Sequence, residues 1–170
     1  MTDYDPPYAI ARTTTEVMLY LDLTACAGCG SDEASWRHDV AGAALRYAGV
    51  CGHCGAGREY LFSPPCDGLL DGVATFGGPA PSELIDAGQW LAVADSIAAE
   101  VAAVDESDAA RRAMAYAHEA VREVLKFVGP NGETVPDEAF WTDAGRAERE
   151  RDPGRFRVNR LLAVRDSYSG

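Results

Sequence analysis

Two copies of one short pattern, Cys26-Ala27-Gly28-Cys29-Gly30 and Cys51-Gly52-His53-Cys54-Gly55, restrict this chain's fold more than any other feature. Two residues between thiolates let both sulfurs reach one ion about 2.3 Å away while the backbone turns. The glycine that follows each pair can take a positive φ, closing the turn so that amides face the sulfurs. Two such turns at the ends of antiparallel strands bring four thiolates around a single ion. The other readings of four cysteines are two disulfides or four free core thiols. The chain opens Met1-Thr2-Asp3-Tyr4-Asp5, an acidic start without the cationic and apolar regions of an export leader. A reducing compartment and a cytoplasmic location are therefore expected, and metal binding is favoured over disulfides. The fifth thiol, Cys66, follows Pro64-Pro65 and reads as a small buried hydrophobe.

Three strands are expected around the cysteine turns. Val17, Leu19, Leu21 and Leu23 alternate through 16–24, which predicts a strand ahead of the first turn. Segments 44–50 and 58–62 read as a hairpin that carries the second turn at its tip. Together, 16–62 resembles a zinc ribbon with rubredoxin-type knuckles at both ends. The resemblance implies a structural Zn2+ held by Cys26, Cys29, Cys51 and Cys54. Four thiolates leave no open position for water, so such an ion holds structure rather than activating a nucleophile. Its apparent contribution to folding is on the order of 10–16 kcal/mol at neutral pH. Iron takes the same four ligands. Rubredoxin-like carriers usually place a proline inside the knuckle, however, and Ala27-Gly28 and Gly52-His53 have none.

The character changes after a loop rich in proline and glycine. Asp86 and Gln89 fit a reciprocal helix cap, and Trp90, Ala94, Ile97 and Val101 recur at helical spacing behind it. A second helix is expected from Ser107 to Phe127 along Met114, Ala117, Val121, Val124 and Val128. A third should open at Asp152-Pro153 and bury Phe156, Leu161, Val164 and Tyr168. A short strand at Val73–Phe76 is a further expectation. The fold class is accordingly α+β, a small antiparallel zinc-ribbon sheet followed by a helical region of about three helices. The divisions expected are an irregular arm at 1–15, the ribbon at 16–66, a linker at 67–81 and the helices at 82–170.

No other chemistry assembles. His53 lies within a complete ligand set and reads as solvent-facing or adjacent to the sulfurs. His118-Glu119 opens like a zinc-protease helix, but Arg122 stands where the second histidine is needed. Ala115, three residues before His118, also removes the Glu-x-x-His pair of a di-iron bundle. Glu119 and Glu123 read as a solvated helix face. The chain is thus expected to be non-enzymatic.

Charge bears on partners. Fifteen basic and twenty-seven acidic residues give 170 residues a net charge of -12, which repels polyanions and anionic membrane on average. The basic residues are fourteen arginines and Lys126. Six arginines cluster between Arg149 and Arg165, against only Glu150 and Asp152. Arg155, Arg157 and Arg160 are candidate contacts for a partner or for nucleic acid, and pairing with the protein's own acids is the plainer reading. The leading expectation is a protein-interaction module, an acidic inhibitor or immunity-type partner of a basic protein. A nucleic-acid-binding regulator and an iron electron carrier are the alternatives.

Overall fold

A computed structural model describes residues 8–64, 75–101 and 107–169. The chain divides into two compact units, Met1–Leu69 and Leu70–Gly170.

The first unit opens with a helix, α1 (Thr14–Leu23), where alternation predicted a strand. Local hydrogen bonding decides the matter. The Thr13 hydroxyl caps the Glu16 amide at 3.1 Å, and the fully buried Glu16 carboxylate accepts from the Arg12 amide and guanidinium at 2.6–2.9 Å. These bonds satisfy amides at the helix start. Val17 and Leu21, four apart, are fully buried. An antiparallel sheet follows, in the order β1 (Ala34–Ala41), β2 (Ala44–Cys51) and β3 (Gly57–Phe62). β2 and β3 lie where the hairpin was expected, whereas β1 replaces the expected strand at 16–24. Gly42, with φ of 65°, allows the two-residue turn between the paired Ala41 and Ala44.

Register sets the two faces of this sheet. Trp36, Gly49 and Arg58 lie in one cross-strand row, and His38, Tyr47 and Tyr60 in the next. This face meets α1, with Tyr20 edge-on to Tyr60 and Phe62 at 6.0 and 5.7 Å. The opposite face carries Ser35, Arg37 and Asp39 on β1, all exposed, with Val50 and Leu61 exposed beside them.

The second unit is helical. The reciprocal cap at Asp86 and Gln89 forms as expected and opens α2 (Ala87–Glu100). Ser107 caps α3 (Asp108–Lys126). Trp90 and Ala94 on α2, and Ala117, Val121 and Val124 on α3, are buried. The C-terminal helix expected from Asp152-Pro153 is divided in two, and a further helix precedes it. Residues Asp143–Arg151 form α4, and a 3-10 turn at Pro153–Phe156, capped by Asp152, leads into α5 (Val158–Ser167). Phe156 and Leu161 are buried as expected, while Val164 and Tyr168 are only half-buried. The class is α+β, with four α-helices after the sheet among the described residues. Residues 75 and 76 are not in a strand, although Phe76 is buried against Trp90 at 4.8 Å, and the rest of the Val73–Phe76 expectation lies outside the described residues. Cys66 also lies outside them.

Candidate metal centre

The first cysteine turn leaves the C-terminal end of α1 and enters β1; the second is the tip of the β2–β3 hairpin. Both adopt the same hydrogen-bonding scheme. The Cys26 amide donates to the Ser31 carbonyl at 2.8 Å and the Cys51 amide to Ala56 at 2.9 Å. The Gly30 amide returns to the Cys26 carbonyl at 2.7 Å and the Gly55 amide to Cys51 at 3.0 Å. Gly30 and Gly55 have φ of 76° and 74°, a region that strains any residue with a Cβ. The second turn is anchored to the first by the Gly52 amide, which donates to the Glu33 carbonyl at 2.9 Å.

This scaffold brings one sulfur from each of Cys26, Cys29, Cys51 and Cys54 within 4.8 Å of all the others. Cys26 Sγ lies 3.7 Å from Cys54 Sγ, and Cys29 Sγ 3.6 Å from Cys51 Sγ. Disulfide sulfurs lie about 2.05 Å apart, so none of these contacts is a disulfide. Four sulfurs at about 2.3 Å from one tetrahedral ion are separated by about 3.8 Å, which the cross-knuckle distances match. The donor set therefore fits one metal ion.

Electrostatics points the same way. The Gly28 amide holds the Cys26 thiol below its usual pKa, and the Cys54 and His53 amides lower Cys51 to about 6. At Cys29 the Ser31 amide favours the thiolate, but desolvation and the sulfurs of Cys54, Cys51 and Cys26 push the thiol up to about 12. Four adjacent thiolates oppose one another, and a cation among them removes that opposition.

The remaining candidates sit elsewhere. His53 is exposed on the second knuckle. Arg155 donates to Asp95 at 2.8 Å, while Arg157 and Arg160 are exposed at the start of α5. Glu119 and Glu123, expected on a solvated face, are instead buried, with Arg122 and Lys126 bonded to them at 2.7 and 2.5 Å. A basic partner one turn on replaces the water each carboxylate loses. Sequence reading did not find the role of Arg58. Its guanidinium stacks 4.9 Å over Trp36 and donates to the carbonyl of Thr24, two residues ahead of the first knuckle. An arginine in a strand pattern carries no signal of such a contact.

An α+β protein with four cysteines clustered between a helix, a strand and a hairpin tip carries a site of the zinc-ribbon kind. No protein-family model, curated protein or solved structure matches the chain. Among the described residues no helix is long and apolar enough to cross a membrane.

Proposed function

We propose that Cys26, Cys29, Cys51 and Cys54 hold one structural zinc ion, and that the protein so organised acts by binding another protein rather than by catalysis. The observation that carries the zinc reading is the sulfur cluster, whose cross-knuckle edges of 3.6 and 3.7 Å suit a four-thiolate tetrahedron. With every position taken by sulfur, the ion serves to fix the two knuckles. Iron fits the same ligands, and colour separates the two: an iron site is red and cycles reversibly between oxidation states.

The partner reading rests on charge. A net charge of -12 favours encounter with a basic surface, such as a nuclease whose own substrate is anionic. The C-terminal arginines support a protein partner over a polyanion, because most are already engaged. Arg146, Arg149, Arg151, Arg155 and Arg165 pair with Asp143, Asp137, Glu148, Asp95 and Asp166. Exposed Arg157 and Arg160 favour the nucleic-acid reading instead.

Elemental analysis of natively purified protein, run beside mass determination of whatever co-purifies, tests both halves. One zinc per chain and a basic co-purifying protein are the expected results. Strong chelation should then melt the ordered part of 16–62, read by circular dichroism and melting temperature. An unchanged spectrum and melting temperature after verified metal removal overturns the structural role.

A further inference from the structure

The four cysteines are not equally exposed. Cys26 and Cys51 are 3% and 2% exposed, whereas Cys29 and Cys54, the second cysteine of each knuckle, are exposed. The knuckle residues beside them offer little cover. Ala27, Gly28, Gly30, Gly52, His53 and Gly55 are all exposed, and only His53 among them has a side chain larger than a methyl group. A small reagent in water can therefore reach the cluster from the side of Cys29 and Cys54. The cross-knuckle contacts join an exposed cysteine to a buried one in both cases, Cys54 to Cys26 and Cys29 to Cys51. Closing either contact to disulfide length needs a movement of only ~1.6 Å.

We propose that this centre is a redox switch, in which peroxide oxidises the thiolates of the exposed cysteines and cross-knuckle disulfides Cys26–Cys54 and Cys29–Cys51 replace the metal. The proposal rests on the zinc reading above. In the first step the thiolate of Cys54 or Cys29 attacks a peroxide oxygen; the O–O bond breaks, one water leaves and the sulfur becomes a sulfenic acid. In the second, the thiolate of Cys26 or Cys51 attacks that sulfur, the S–O bond breaks and a second water leaves. Each disulfide thus consumes one hydrogen peroxide, two thiolates and two protons and yields two waters. Two disulfides take all four ligands and release the divalent ion. Oxidation keeps the two knuckles tied, so the linkage substitutes for the metal and thiol reductant restores the ligand set.

The test uses the full chain with the substitution C66S, which keeps the fifth thiol out of the exchange. Zinc is first quantified per chain, and hydrogen peroxide is then titrated in while a colorimetric chelator reads free zinc. Complete release at two peroxides per zinc is expected, with rebinding after reduction in the presence of zinc. Tryptic cleavage at Arg12, Arg37, Arg46 and Arg58 puts Cys26 and Cys29 on peptide 13–37 and Cys51 and Cys54 on peptide 47–58. Cross-knuckle disulfides join these two peptides, and fragmentation between the cysteines of each assigns the partners. Zinc retained after peroxide overturns the switch while leaving the metal reading intact. Release with the two peptides unlinked, through disulfides within each knuckle or through sulfinic acids, overturns it equally. A reduced chain that neither carries nor takes up zinc overturns both readings.

Discussion

Arg58 is a buried cation whose guanidinium lies against two rings and donates to the Thr24 carbonyl and, at 3.3 Å, to the Tyr60 hydroxyl. It lies 4.9 Å from the Trp36 ring and 5.8 Å from that of Tyr60, and among the described residues its Nε and Nη1 find no hydrogen-bond partner. The quadrupoles of the rings supply part of what water would have given. The bond to Thr24 ties β3 to the chain segment entering the first knuckle. Gly49 makes room for this stack, since a Cβ there would lie 2.7 Å from the Trp36 ring and 2.5 Å from the Ser35 carbonyl oxygen. On the other face of the sheet, Arg46 bonds Asp39 and holds its carboxyl below the usual range. A carboxyl lowered on folding stabilises the protein above its unfolded pKa of about 3.9, and loses that contribution as pH falls through the lowered folded value. In a carboxyl-carbon NMR titration, Asp39 should titrate below the ordinary aspartate range, and R46Q should return it there. A midpoint unmoved by R46Q would show that the arginine is not the cause.

Helices α2 and α4 meet at their first turns through two glycines. A Cβ on Gly88 would lie 2.4 Å from the Gly145 carbonyl oxygen, and one on Gly145 would lie 2.1 Å from both oxygens of Asp86. That fully buried carboxylate caps α2 through the Gln89 amide and also accepts from the Thr142 amide and hydroxyl at 2.8 and 2.7 Å, joining the two helix starts. Overpacking of this kind costs about 1–3 kcal/mol, so G145A should lower the urea midpoint of the helical unit without changing its far-ultraviolet spectrum. A variant as stable as the parent would show that the close approach is not required. The cap at Asp86 was legible because a reciprocal cap is written in residues three apart. The strand predicted at 16–24 failed because a short apolar run satisfies periods of two and 3.6 alike. Thr13 and Glu16, spaced as a capping pair, carried the helical signal that the alternation of Val17, Leu19, Leu21 and Leu23 concealed. β1 was missed for the opposite reason. Only Trp36 and Val40 mark its apolar face, and Val40 is 79% exposed, so pairing with β2 rather than its own burial makes it a strand.

Over the whole molecule the fold class was legible, and so were the four cysteines, because thiolate spacing is a local property. What surrounds them was not. Glu33 supplies a backbone carbonyl and Arg58 a long-range contact, and neither depends on a pattern along the chain. Charge, by contrast, is global. With -12 overall and most C-terminal arginines paired, the protein should show no retention on duplex DNA or RNA at physiological salt, and R157A/R160A should leave that behaviour unchanged. Tight, salt-sensitive binding lost in the double variant would instead establish the nucleic-acid reading.

Lys126 is the chain's single lysine, and its Nζ is bonded to the Glu123 carboxylate and to the Gly77 and Gly78 carbonyls. Every other basic side chain apart from the three histidines is a guanidinium, which neither deprotonates at physiological pH nor acts as a ready nucleophile. Acylation, imine formation and amine cross-linking of side chains are consequently confined to one amine, and that amine is already held by a carboxylate and two carbonyls.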